Sequence, residues 1–182
     1  YQLPVGTGNA HAAVLVVTND PGELSSVSLL LPDGSQPQVQ LLSPADVPGA
    51  SAALGAFSAI VVDEADTSVL GAAQGRAIEG YVEAGGTLVV AGGVGWRAAV
   101  AGLPADLLPA RVEGTTALIL TKLSHLLGPP PPSSPAVVDK LAMSAGSSVI
   151  LSEGSAPLAV EAARGAGYVV LSAMDPAAAP LA

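Results

Sequence analysis

The stretch Gly85–Trp96, GGTLVVAGGVGW, constrains this chain more than any other. Two glycines end a helix, Thr87–Ala91 is an apolar run of strand length, and a second glycine cluster opens onto another helical segment. A tight strand-to-helix turn of this kind lies at the C-terminal edge of a parallel sheet, where open α/β proteins place ligands and nucleophiles. The turn itself reads Gly92-Gly93-Val94-Gly95-Trp96 and carries no Cys, Ser, Thr, Asp or His. The place best suited to chemistry offers backbone and one isopropyl group.

Strand and helix signals alternate on the N-terminal side of that turn. His11–Val17 is a near-continuous apolar run, as expected of a central parallel strand covered on both faces, and it ends in the turn residues Thr18-Asn19-Asp20-Pro21-Gly22. Gln38–Leu42 alternates as a second strand. Ala59–Val62 is a third and flows into Asp63-Glu64-Ala65-Asp66. Glu23–Leu31 and Ala50–Ala56 are short helix candidates, and Ser43–Asp46 has the form of a capping box with Pro at the first helical position. Ser68–Ala84 is the clearest helix: Leu70, Ala73, Ala77, Tyr81, Val69, Ile78 and Val82 make an apolar stripe opposite Gln74, Arg76, Glu79 and Glu83. Asp66, Thr67 or Ser68 caps its start, and Gly85 closes its end. Trp96–Ala101 is a short helix stopped by Gly102 and Pro104.

From Leu103 onward the parallel rhythm is lost. Ala110–Glu113 reads as a strand and Thr115–Leu127 as helix or strand. Gly128–Pro135, GPPPPSSP, is a stiff extended connector. Ala136–Leu141, Ser148–Leu151, Leu158–Ala162 and Tyr168–Ser172 read as short strands, the last two joined by the glycine-rich hairpin loop Ala163–Gly167. The pattern predicts an α/β fold: a three-layer α/β/α sandwich with a mainly parallel, flavodoxin-like sheet and appended antiparallel C-terminal strands. Residues 11–176 form a single domain with the connector 128–135 inside it, 1–10 being a lead-in and 177–182 a tail.

Composition narrows the partners. Fifteen acids against six bases give a net charge of −9, and the bases are scattered. With one Phe, one Trp and three Tyr there is also no stacking platform, so nucleic acid is not an expected partner. The absence of Cys excludes disulfides, thiolate metal sites and thiol catalysis. No apolar run approaches the ~20 residues that span a bilayer, so this segment is not expected to contact a membrane. Starting at Tyr1 and ending in DPAAAPLA, the chain reads as a piece of a longer protein.

Strands followed by helices collect their C-termini along one sheet edge. Asp20, Asp63, Glu64, Asp66, Gly92, Gly93, Gly95, Trp96 and Asp175 are the candidate ligand-binding residues there. Several carboxylates in one crevice suit Mg²⁺ or Ca²⁺, and a metal, if any, falls to Asp63, Glu64 and Asp66. Their spacing matches no defined metal loop, and capping turns and helices is the simpler role for Asp20 and Asp66. Gly93-Val94-Gly95-Trp96-Arg97-Ala98 fits G-x-G-x-x-A after a strand and before a helix, with Glu113 at about the distance of a ribose-binding acid. A sharp turn with close helix–strand packing explains the same glycines more simply. Trp96 either walls a crevice or anchors the edge of the core. His11 and His125 stand in no constellation, and Ser144 lacks the first glycine of a G-x-S-x-G elbow.

The run Val61–Trp96, VVDEADTSVLGAAQGRAIEGYVEAGGTLVVAGGVGW, resembles the class I glutamine amidotransferase-like superfamily, with its strand, acidic turn, long helix and Y-V-x-x-G-G-T-L-V-V core. The closing PLAVEAARGAGYVVLSAMDP is similar to the late hairpin and strand of its extracellular, membrane-anchored bacterial relatives. In catalytic members a Cys occupies the elbow and a His follows a late strand. Here those places hold Gly93, Val94 and Gly95, and Met174-Asp175-Pro176. The resemblance thus implies the fold and not the amidotransferase reaction. The expectation that follows is a non-catalytic binding or interaction domain of a larger bacterial protein, extracytoplasmic and membrane-anchored through its flanks. No cofactor is expected, and the partners would be other domains of the parent protein or a separate protein. Two readings stand beside it: a metal-dependent hydrolase at Asp63, Glu64 and Asp66, and a nucleotide-binding domain at Gly93–Ala98.

Overall fold

The computed structural model describes residues 13–19, 37–122 and 134–175. Asp20, both histidines, the helix candidate Glu23–Leu31, most of the connector, the lead-in and the tail lie outside the described residues.

Strands β1 (Ala13–Val17), β2 (Gln38–Leu42), β3 (Ala59–Val62) and β4 (Thr87–Val90) form where the apolar runs predict them. They pair in parallel, β1 lying between β2 and β3, and β3 beside β4. Val14 to Val17 are all buried, so β1 is covered on both faces, which is why its sequence shows no alternation. The chain then returns to this sheet. β9 (Gly167–Ser172) pairs in parallel with β4, and β8 (Ala156–Arg164) and β7 (Ser147–Glu153) add antiparallel beyond it. The resulting seven-stranded order is β2-β1-β3-β4-β9-β8-β7, a flavodoxin-like parallel set with antiparallel strands appended. The parallel rhythm is therefore interrupted after Leu103 rather than ended. The edge strand β7 carries register shifts at Val149/Leu151 and Leu151/Ser152, irregularities that blunt an otherwise open edge.

Helices α1 (Ser51–Leu54) and α2 (Ala72–Glu83) pack against each other. Ile78, Tyr81 and Val82 of α2 join Leu15, Ile60, Leu88 and Val169 of the sheet in the main core. Burial of each such side chain stabilises by roughly 1.5–3 kcal/mol. Helix α2 starts four residues later than its periodicity predicts, because two capping devices divide the segment. The Asp66 carboxylate accepts from the Ser68 N–H at 3.0 Å and from the Ser68 hydroxyl, which confines Thr67–Val69 to a 3₁₀ turn. Gln74 then caps α2 proper: its Oε1 accepts from the Gly71 N–H at 2.7 Å while its Nε2 donates to the Ala45 and Val47 carbonyls. The Ser43 box behaves differently as well. Its hydroxyl donates to the Asp46 carboxylate at 2.6 Å and caps no backbone group.

Strands β5 (Ala110–Leu118) and β6 (Ala136–Met143) make a separate antiparallel ribbon, so Thr115–Leu118 is strand and not helix. A second apolar cluster of Leu120, Val138, Leu158, Ala173 and Met174 seats this ribbon against the sheet. The Asp139 N–H donates to the Ala173 carbonyl at 2.6 Å and brings β6 to the end of β9.

A cleft at the C-terminal edge of the sheet

Strands β1, β3, β4 and β9 end on one edge, and the segments leaving them line a cavity of about 600 Å³. Asn19 follows β1, Glu64, Ala65 and Asp66 follow β3, Gly92–Gly95 follow β4, and Asp175 follows β9. The first two walls are tied together: the Asn19 side chain accepts from the Asp66 N–H at 2.7 Å, and the Asn19 N–H donates to the Glu64 carbonyl at 3.3 Å. Glu64 has φ 47°, a left-handed conformation uncommon for a side-chain-bearing residue and frequent where a turn is constrained by function.

The β4 wall is the glycine elbow. Gly93 has φ 88°, and a Cβ there would press on Asp175. The elbow leads into α3 (Trp96–Val100), with the Trp96 N–H donating to the Gly93 carbonyl at 3.2 Å. The buried Thr67 holds the far end of α3. Its hydroxyl shares a proton between the Ala98 and Ala99 carbonyls, each at 3.0 Å, and accepts from the Gly102 N–H at 2.9 Å. The acidic loop and the elbow are thus one mechanical unit.

Behind the elbow lies a residue that the sequence analysis does not single out. Asp139 of β6 is 2% exposed, and its Oδ2 accepts from the Gly93 N–H at 2.9 Å. Its Oδ1 is buried and makes no hydrogen bond among the described residues. A Cβ on Gly92 would overlap Asp139 Oδ2 and the Ser172 carbonyl, so the missing side chain at 92 is what admits the carboxylate. Burial pushes the Asp139 carboxyl up to about 6, against the opposing pull of the Gly93 N–H. The available signal was a lone acid inside the apolar strand AVVDKLAM, adjacent to the inward-facing Val138.

The structure brings Glu64, Asp66, Gly92, Gly93, Gly95 and Asp175 of the candidate residues into one cleft. Asp63 is 3% exposed and does not line it. Trp96 packs against the main core under the Arg97 guanidinium, 4.6 Å from the ring centre, and lines a different groove. Hydrogen bonds to Ser68 hold the Asp66 carboxyl below its ordinary range, the behaviour of a capping acid. Among the described residues no three His, Cys, Asp or Glu side chains converge as a metal site. Helix α3 spans five residues, and Glu113, the acid a dinucleotide would need, pairs with Arg111 at 2.9 Å on the ribbon surface. Among the described residues no basic side chain lines the cleft, and this lining disfavours anions.

No protein-family model matches the chain, and no curated protein matches it. Solved structures do. The cytoplasmic protein STM1381 from Salmonella typhimurium superposes with a TM-score of 0.66 at 17% identity, over 91% of this chain and 88% of its own. A ThuA-like protein from Bacteroides uniformis matches with a TM-score of 0.51 at 11% identity, over 96% and 86%. The exo-β-1,4-mannosidase Op5Man5 from an Opitutaceae bacterium matches with a TM-score of 0.56 at 17% identity, over 95% of this chain but 32% of the mannosidase. At these identities the likeness concerns the fold alone, a mainly parallel flavodoxin-like α/β sheet with antiparallel strands appended. It corrects the expected extracytoplasmic position, because a protein sharing nearly its whole length with this chain is named as cytoplasmic. The physical reason lies in the closing hairpin. It supplies β8 and β9, and β9 is an interior strand of the main sheet, so its sequence reports on sheet packing and not on compartment.

Proposed function

We propose that this chain is a non-catalytic ligand-binding module of a larger bacterial protein, with its site in the elbow cleft. The observation that carries the reading is the wall of the cavity: Gly92–Gly95 occupy the nucleophile position of the fold and present only backbone and Val94 to about 600 Å³ of space. That volume suits a small organic molecule. Glu64, Asp66 and Asp175 on the lining, with no opposing base among the described residues, select neutral or positively charged polar ligands over phosphates and carboxylates. The modular part of the reading draws on the mannosidase likeness, in which the same fold makes up about a third of a longer chain.

Gly95 supplies the test. It has φ −85° and open space around its Cβ position, so Gly95→Phe fills the cleft without straining the elbow. A panel of mono- and disaccharides, polyols and diamines is screened by melting temperature. At least one compound should raise the Tm of the unaltered protein, since a ligand that binds only the native state stabilises it, and the shift should vanish in Gly95→Phe. Silence across the panel, or an equal shift in the variant, would refute the assignment.

A further inference from the structure

We propose that Asp139 is a protonation-sensitive latch on the elbow: neutral, it lies beneath Gly93 as observed, and ionised, it swings the elbow outward so that its carboxylate reaches water through the cleft. This concerns the regulation of the cleft and rests on the cleft being the binding site. The geometry supplies the closed state and a route out of it. In the closed one, Oδ2 has the Gly93 N–H and Oδ1 has no partner among the described residues, an arrangement that a neutral carboxyl tolerates far better than a charged one. The route to water runs past Gly92 and Gly93, which line the cavity on their other side.

Among the described residues nothing compensates the charge. On the elbow side the one charged group of α3 is Arg97, stacked over Trp96. At the end of β9 it is Asp175, against Gly93. In β6 Lys140 is exposed, and on β5 the register places Thr115 opposite Asp139, while Arg111 and Glu113 pair with each other. Glu161 of β8 accepts from the Ser148 hydroxyl. Asp63 is buried at the end of β3, on the same edge. Among the described residues no cation pairs with Asp139, and it is burial that opposes its ionisation.

A carboxyl held near 6 in the closed state and at its ordinary 3.8 when hydrated shifts the open-to-closed ratio by about 100-fold between pH 4 and pH 8. The readout is the protection factor of the Gly93 amide, the observed exchange rate normalised by the intrinsic one, which removes base catalysis. It should fall by up to about 100-fold, the decline running between about pH 4 and about pH 6 and levelling off above that. In Asp139→Asn the same amide should show no such step. Fluorescence of Trp96, the one tryptophan of the chain and three residues past Gly93, should change over the same pH range in the unaltered protein and stay flat in the variant. A constant Gly93 protection factor in the unaltered protein overturns the latch even if the variant fails to fold. So does a step that persists unchanged in Asp139→Asn. No ligand is used, so a failed latch leaves the binding assignment standing, and a failed panel leaves the latch testable.

Discussion

Strand β4 has a glycine beyond each end, and each is a socket for a side chain from another element. At the N-terminal end a Cβ on Gly86 would overlap the ring of Tyr81, and at the C-terminal end one on Gly92 would overlap Asp139. Both visitors are buried, at 3% and 2% exposure, but their polar groups fare differently. The Tyr81 hydroxyl donates to the Phe57 carbonyl at 3.2 Å, and its polar requirement is met. Asp139 has one oxygen matched and one not. The same device is closed where the sheet needs only stability and open where the cleft lies. A buried polar group whose accounting does not close costs free energy, and that cost sets the second socket apart from the first.

Filling the sockets gives the largest contrast. Gly86→Ala meets only a side chain, and should cost about 2–3 kcal/mol, most of it recovered in Gly86→Ala/Tyr81→Leu. Gly92→Ala meets the Ser172 carbonyl as well as Asp139, and should cost about 4 kcal/mol. Adding Asp139→Ala should recover little, since the backbone clash remains. Urea unfolding of the four proteins checks this. Equal rescue at both ends would mean that the two sockets are mechanically alike, and the comparison would break.

Next in size is the pH dependence. The folded Asp139 carboxyl lies above its ordinary 3.8, so its contribution to stability is fully present below about 3.8 and is lost as pH rises through about 6. Two units correspond to roughly 3 kcal/mol at most. Asp139→Asn keeps an acceptor for the Gly93 N–H and removes the charge. It should therefore be more stable than the unaltered protein by about 1–2 kcal/mol at pH 8, the remainder going to its own unmatched amide. Below pH 4 the advantage should disappear. The difference between the two unfolding curves isolates this group from carboxyls with lowered values, such as Asp66, which lose stability in acid.

The contrast between the sockets also marks what could be read from the residues alone. Strands β1, β3 and β4 and the glycine elbow were legible because their signals are local: apolar runs bounded by turn residues. The cleft was largely legible too, because parallel topology collects strand ends, and so Glu64, Asp66, Gly92, Gly93, Gly95 and Asp175 fall together. Asp139 was not, since its partner Gly93 lies 46 residues away and the ribbon that carries it docks through Leu120, Val138 and Leu158. For the same reason β9 reads as a generic hairpin strand, although it pairs in parallel with β4. Trp96 takes the second of its two readings, an anchor at the edge of the core, where apolar contact outweighs the pull of an open edge.

The smallest effect is the control for the whole comparison. Tyr81→Phe keeps the ring that fills the Gly86 socket and deletes only the hydroxyl bonded to Phe57. Loss of that bond should cost about 1 kcal/mol, with the Phe57 carbonyl left unmatched. The cost should be the same at pH 5 and pH 8, because burial raises the Tyr81 hydroxyl above its ordinary 10 and keeps it neutral throughout that range. Asp139→Asn, measured beside it, should change its effect across those same two conditions. A pH-dependent Tyr81→Phe would mean that ionisation at the C-terminal socket is felt along the length of β4, and the sheet would then transmit the state of the cleft from one end to the other.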